Sequence, residues 1–329
     1  MPNNKVTIND VAERVGVSKT TISRYINGNY KKMSLETKKR IQEVIEELDY
    51  HPNRQAQSLK SDRSYLIGVI VADIGNLYTA YILEAMFEQV QDTDYQLIIL
   101  NSNNSLKEER RAIQRLLNHN IEALILQPVS SNLSDYDLLT NRSFPITLLD
   151  RSLKQSSWSV VQSDNLTRTE ELAGLIISKG YQRVIHFSEP VEEVSPRFER
   201  YTAMKATLAG SQVDFDLHEL TNPLDQIHQV IDHLDWQIKT AFFAANGNVL
   251  QQLLRVINQC ERSYPGDCGV CGYDDWHIGD IVNPKLTAVQ QDPHALGKRI
   301  IQLTFNQLEG QPSRRIEEVK AKLVIGESL

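Results

Sequence analysis

The sequence predicts a small all-α helix-turn-helix head followed by an α/β body of two lobes built on parallel sheets. Three observations carry this. Charge divides along the chain: residues 1–60 hold eleven Lys/Arg against seven Asp/Glu, net +4, while the rest is net −11. Up to about residue 50 the only periodic patterns are capped and helical. From Ser64 onward short apolar runs alternate with helical patterns, and such alternation means parallel strands covered on both faces by helices.

The head reads as three helices. Thr7-Ile8-Asn9-Asp10 has the form of a capping box with Asp in the usual Glu position. Ile8, Val11, Ala12 and Val15 then form one apolar stripe. Gly16 follows, where the turn needs a residue without a Cβ. Ser18 caps a second helix over Lys19–Ile26, with Ile22 and Ile26 inward, and Asn27-Gly28-Asn29 ends it. Ser34 caps a third, whose apolar face is Ile41, Val44, Ile45 and Leu48. Two short helices joined at Gly16-Val17 match the helix-turn-helix layout.

That layout suits DNA. A second helix of this kind enters the major groove with its N-terminal side chains at the base edges. Lys19, Thr20 and Arg24 fall opposite the Ile22/Ile26 face. Arg24 can form a bidentate pair with guanine, and Lys19 can donate to guanine or phosphate. Backbone amides at the Thr7 and Ser34 helix starts can hold phosphates. For Lys31, Lys32, Lys38 and Lys39 a solvated face is an equal reading.

In the body, strands are expected at Leu66–Ala72, Leu97–Leu100, Ala123–Leu126, Ile146–Leu149, Val184–Phe187, Ala241–Ala244 and around Val270. Helices are expected at Tyr78–Asp92, Leu106–His119 and near 166–179, 197–209, 248–258 and 294–309. The units are too many for one sheet and lack an eight-fold closure signal, so two lobes with a cleft between them follow. Ligands in such folds bind beyond the carboxyl ends of strands. The polar residues there are Asp73, Asn76, Tyr78, Asn101, Asp150, Arg151, Arg197, Arg200, Asn246, Asp274, Asp275, Trp276, Gln290 and Gln291. Carboxylates, amides and an aromatic ring are what sugar hydroxyls and an apolar sugar face require.

Other classes are weakened or excluded. Of the 329 residues, 41% are hydrophobic and 23% charged, ordinary for a soluble globular protein. There is no run of about 18 apolar residues and no apolar signal core, so no membrane association is expected and a cytoplasmic location is. The spacing Cys268-Gly269-Val270-Cys271 matches a metal or redox pair, but residues three apart on a strand face opposite ways. These and Cys260 read as small core residues, with no metal and no cofactor. No phosphate-binding glycine loop or Gly-x-Ser-x-Gly elbow is present, so an enzyme is not expected. Asp274-Asp275 reads as one site residue and one loop end rather than an acid–base pair. A transport-system binding protein would share the body but has no use for the basic head and is expected to carry the secretion signal that is missing here.

The stretch Val6–Gly28 (VTINDVAERVGVSKTTISRYING) resembles the head of the lac repressor family, and Leu48–Leu59 (LDYHPNRQAQSL) resembles its hinge. Leu149-Asp150-Arg151, Arg200–Met204, Ala244–Asn246, Gly272–Asp275 and Leu286–Asp292 resemble segments of its periplasmic-binding-protein-like core. The resemblance spans essentially the whole chain. It implies a DNA-binding domain over 1–52, a hinge over 53–62 and an effector-binding and dimerisation domain over 63–329. In the last, the near lobe is about 63–163 and 292–320 and the far lobe about 164–291. It implies a homodimer on a pseudopalindromic operator in double-stranded DNA, contacted by Thr7, Ser18, Lys19, Thr20, Thr21, Ser23, Arg24, Asn27 and Ser34. Asn53, Ala56, Gln57 and Leu59 match a hinge that becomes helical on DNA and wedges a leucine into the minor groove. Arg200, Asn246, Asp274 and Gln291 match effector-contacting positions, and Asp150 falls at the effector-side strand end. Gly247, Leu77 and Ala203 depart from the family's usual Asp, Pro and Gly, which leaves the effector's identity open. Three arginines near the cleft, Arg151, Arg197 and Arg200, favour a sugar acid or sugar phosphate over a neutral sugar. The chain ends without a heptad extension, so a dimer is expected rather than a coiled-coil tetramer. The function expected is repression of carbohydrate-utilisation genes under control of that effector.

Overall fold

The computed structural model describes residues 6–26, 28–31, 33–50, 63–274, 278, 281–311 and 316–329. It forms two compact units, Met1–Ser64 and Tyr65–Leu329.

The first unit holds α1 (Ile8–Val15), α2 (Lys19–Ile26) and α3 (Leu35–Glu47). Thr7 and Asp10 close the start of α1: the Thr7 N–H and hydroxyl both donate to Asp10 Oδ2 at 2.7 Å. These bonds hold the Asp10 carboxyl below its ordinary range. At the other end Gly16 sits at φ +80°, and the N–H groups of Gly16 and Val17 return to the Ala12 carbonyl. An L side chain would be strained in that left-handed turn. Ser18 Oγ accepts from the Thr21 N–H at 3.2 Å and Ser34 Oγ from the Thr37 N–H at 3.1 Å, so both expected caps form. Val11, Val15, Ile22 and Ile41 make the core. The Arg14–Glu47 pair joining α1 to α3 is exposed on both sides and adds little.

The second unit carries two six-stranded sheets. The first contains β1 (Leu66–Val71), β2 (Gln96–Asn101), β3 (Ala123–Leu126), β4 (Ile146–Leu149), β5 (Ser159–Ser163) and β11 (Ile316–Val319). Its order is β11-β5-β4-β3-β1-β2, all parallel. The second contains β6 (Arg183–Ser188), β7 (Asp214–Glu219), β8 (Thr240–Ala244), β9 (Gly269–Tyr273), β10 (Thr287–Gln290) and β12 (Lys322–Val324). Its order is β12-β10-β9-β8-β6-β7, parallel except for β12 against β10. Helices α4 (Leu77–Val90), α5 (Leu106–Asn118), α6 (Asn165–Ser178), α7 (Ser195–Ala209), α8 (Pro223–Asp232), α9 (Gly247–Gln259) and α10 (Pro293–Leu308) cover the faces. None of the described helices is long and apolar enough to cross a membrane.

The expected fold class therefore holds. Strands β5, β7, β10, β11 and β12 and helix α8 are additions to the sequence reading. Two of them, β7 (Asp-Phe-Asp-Leu-His-Glu) and β11 (Ile-Glu-Glu-Val), are charged and only partly buried. β7 is an edge strand and β11 ends the other sheet, which explains why neither reads as an apolar run.

The chain passes between the sheets three times: after β5, after β10 and after β11. Asp164 ties the first crossing to the third. Its N–H donates to the Val319 carbonyl at 3.3 Å, and its Oδ1 accepts from the Ala321 N–H at 2.7 Å. Each sheet has an apolar layer on both faces. In the second, Cys268 packs with Phe242 and Val270 on one side and Cys271 with Phe243 and Tyr273 on the other. The opposed facing read from their spacing is thus present. Burial pushes the Cys268 thiol up to about 12 and raises Cys271 as well. Cys260, expected in the core, is only partly buried.

Helices α4 and α10 pack together at Gly297. A Cβ there would collide with the Ile82 carbonyl oxygen and stand 2.7 Å from Ala85 Cβ. Gly297→Ala is expected to destabilise this unit by about 1–3 kcal/mol, read as a lower Tm by circular dichroism. An unchanged Tm would mean that the two helices part without cost.

Candidate functional site

The carboxyl ends of strands from both sheets open on one cleft of about 700 Å³, counted out to solvent. Asp73, Gln127 and Asp150 line it from the first sheet, just past β1, β3 and β4. Glu189, Asn246, Asp274 and Gln291 line it from the second, just past β6, β8, β9 and β10. Parallel strands end together, so one residue from each converges with no sequence proximity. Helix α7 adds Arg197 and Arg200, and α4 adds Tyr78.

A buried polar chain crosses the cleft floor. The Tyr78 hydroxyl donates to Asp150 Oδ1 at 2.8 Å and stands 3.3 Å from Gln291 Oε1. Gln291 Nε2 donates to Asp274 Oδ2 at 2.6 Å. Asp150 and Asp274 both have left-handed backbone, φ +64° and +56°, a conformation Asp tolerates better than most residues. Their N–H groups donate to Val161 and Val289 on the neighbouring strands. Burial pushes the Asp274 carboxyl up to about 6, opposed chiefly by the Arg200 charge. Burial likewise raises the Tyr78 hydroxyl, helped by the Asp150 and Asp274 charges.

The arginines differ in how they are held. Arg200 is buried: Nε donates to Asn165 Oδ1 at 2.8 Å, Nη1 to the Ala245 carbonyl at 2.6 Å, and the guanidinium lies 3.7 Å over the Tyr273 ring. Its Nη2 has no partner among the described residues. Arg197 pairs with Glu189 at 3.4 Å and Glu193 at 3.7 Å. Arg151 donates from Nη1 to the Pro128 carbonyl at 3.1 Å. Burial first, and then the Arg197 charge, lower the basicity of Arg151, while the Asp150, Glu109 and Glu189 charges raise it.

Several expected residues are also engaged in local structure. Asn76 Oδ1 caps α4 through the Tyr78 N–H, and Asn246 Oδ1 caps α9 through the Val249 N–H. The Asn246 amide also donates to Glu189 Oε2 at 2.7 Å. Asp73 accepts from the Gly75 N–H. Asn101 does not line the cleft: its Oδ1 accepts from the Ile74 N–H and its Nδ2 donates to Asn103, so it braces a loop. Gln290 closes β10 just short of the cleft, and Trp276 and Asp275 lie outside the described residues. Asn104, Gln127, Glu189 and Asn248 were not expected. Gln127 and Glu189 sit one and two residues past strands recognised from sequence, so the strand-end rule applied evenly finds both.

On the head, Lys19, Thr20 and Arg24 are exposed on α2, opposite buried Ile22. No hydrogen bond or ion pair among the described residues holds the Lys19 or Arg24 side chain. Thr21 and Ser23 are partly buried, and the Thr21 hydroxyl lies 2.9 Å from Ser18 Oγ. Thr7 and Ser34 stand at helix starts, as expected. Asn27, Asn53, Ala56, Gln57 and Leu59 lie outside the described residues.

Asp274 gives a pH prediction. With its carboxyl raised from an ordinary 3.8 to about 6, the folded state holds a proton that the unfolded chain has lost. This contribution to stability is full below about pH 4 and is lost as pH rises through 6. Relative to Asp274→Asn, the wild-type chain should lose up to about 3 kcal/mol between pH 4 and 7, measured by urea unfolding at each pH. A difference independent of pH would show that Asp274 ionises normally.

Comparisons with known proteins place this architecture. Residues 7–53 match the model of bacterial regulatory proteins of the lacI family, and residues 173–329 match the periplasmic binding protein-like domain. The chain is 32% identical over 330 residues to the HTH-type transcriptional regulator KdgR of Bacillus subtilis, covering 98% of this chain and 97% of KdgR. It is 30% identical over 325 residues to the HTH-type transcriptional regulator PtxS of Pseudomonas putida, covering 98% and 95%. Among solved structures, the lac repressor dimer bound to operator and the anti-inducer ONPF superposes with a TM-score of 0.86 at 24% identity, covering 99% of both chains. With its exposed second helix and its two-sheet body, the chain belongs to the LacI family of DNA-binding transcriptional regulators.

Proposed function

We propose that this repressor controls carbohydrate-utilisation genes and that a sugar acid or sugar phosphate in the cleft sets its affinity for operator DNA. The observation that carries the effector class is the gathering of Arg151, Arg197 and Arg200 on this cleft, with Arg200 Nη2 unpartnered among the described residues. An anion there would accept a planar pair of hydrogen bonds. Asp150, Asp274 and Gln291 would take the hydroxyls at the other end of the ligand. Arg197 is paired with Glu189 and Glu193, so Arg200 and Arg151 are the cations left to meet the ligand's charge.

The head would read a pseudopalindrome as a homodimer, because one helix of eight residues offers few base contacts. The relative named as the lac repressor dimer bound to operator shares this fold. Lys19, Thr20 and Arg24 would meet base edges, and Thr7, Ser18 and Ser34 would lie at phosphates. Asn53, Ala56, Gln57 and Leu59 would form the hinge contact. Effector binding would shift the population between DNA-competent and incompetent states by its differential affinity for them, favouring the state released from DNA.

Fluorescence anisotropy on a pseudopalindrome from upstream of the protein's own gene tests this. Binding should be tight and salt-sensitive, and one sugar acid or sugar phosphate should abolish it while neutral hexoses do not. A neutral hexose acting alone would overturn the effector class. Arg24→Ala should weaken cognate binding by about 1–3 kcal/mol and relax preference at one base pair. Equal loss on all sequences would make Arg24 a phosphate contact instead.

A further inference from the structure

We propose that His228, Asp232 and Cys260 form a zinc(II) site on the outer layer of the second sheet, linking α8 to α9. His228 and Asp232 stand four residues apart on α8, and neighbours at that spacing share a helix face. Cys260 follows α9 directly. One ligand atom from each lies within 4.8 Å of the other two. Cys260 Sγ is 3.7 Å from His228 Nδ1. A tetrahedral zinc ion with Zn–S of about 2.3 Å and Zn–N of about 2.0 Å holds those atoms about 3.5 Å apart, so this pair is already spaced for the metal.

A second observation is independent of that spacing. His228 Nε2 lies 2.8 Å from the side-chain oxygen of Gln259. An amide oxygen only accepts, so Nε2 carries the proton and Nδ1 turns its lone pair toward the thiol. Metal-bound histidines are oriented by such an acceptor on the far nitrogen. The Asp232 carboxylate is exposed and has no hydrogen bond or ion pair among the described residues, so it can close the remaining gap. Zinc would displace the Cys260 thiol proton to solvent and bind the thiolate. Three protein ligands leave the fourth position to water.

The test is a cobalt(II) titration of the tag-free full chain after chelator treatment. One equivalent should produce tetrahedral d–d bands and a near-ultraviolet thiolate-to-cobalt band, and one equivalent of zinc should bleach both. Cys260→Ser should lose the thiolate band. Gln259→Ala should keep it but bind about 10–100-fold more weakly, since Gln259 only positions the ring. If Cys260→Ser melts early, His228→Gln, which should weaken binding at least as much, decides instead. Absence of the band in the intact chain, its persistence without Cys260, or binding by bands lacking thiolate character would each overturn the proposal.

Discussion

The body turns on two buried polar pairs that meet at the cleft floor: Tyr78 donates to Asp150 at the end of β4 in one sheet, Gln291 donates to Asp274 across the ends of β10 and β9 in the other, and the Tyr78 hydroxyl stands 3.3 Å from Gln291 Oε1. Each member is nearly excluded from water, so each must find its partner inside the protein. Each pair is satisfied beside its own sheet, and the two come together where both sheets present their carboxyl ends to one cleft. The three crossings of the backbone, with Asp164 holding the first against the third, keep that arrangement within reach. The cleft is therefore a consequence of how buried polar groups are paired, and its floor is part of the fold.

The same economy appears at the rim. Asn76 and Asn246 start helices as caps while their residues line the cleft. Asp150 and Asp274 end strands in left-handed turns that redirect the chain and leave their carboxylates facing the cavity. Polar residues gather at strand ends because the backbone there needs partners, and a ligand would meet groups already oriented by that need. Arg200 shows the limit: two of its nitrogens and its flat face are fixed by Asn165, Ala245 and Tyr273. What it can offer a ligand is the remaining edge.

The outer layer of the second sheet shows what linear reading misses. Cys260 looked like a small apolar residue beside the Cys268–Cys271 spacing. In the fold, Cys268 and Cys271 enter opposite apolar layers, while Cys260 meets His228 from 32 residues earlier. The short motif was uninformative because strand alternation separates its members. The distant pair is close because α8 and α9 cover the same face of the sheet.

By itself the sequence determined the local chemistry: the caps at Thr7, Ser18 and Ser34, the left-handed turn at Gly16, the exposed Lys19/Thr20/Arg24 face, and most central strands. These rest on contacts a few residues apart, which periodicity and residue type report directly. It also marked most cleft residues, since a strand end is visible in sequence. Edge strands β7 and β11 were hidden because their charged, half-exposed pattern reflects their place in a sheet. Only the tertiary structure decided that Asn101 braces a loop while Glu189 and Gln127 face the cleft, that Arg151 and Arg197 come to the same cleft, and that His228 meets Cys260. Those facts depend on which strands end side by side and which helices share a face. Distance in space sets them, and spacing along the chain carries no record of it.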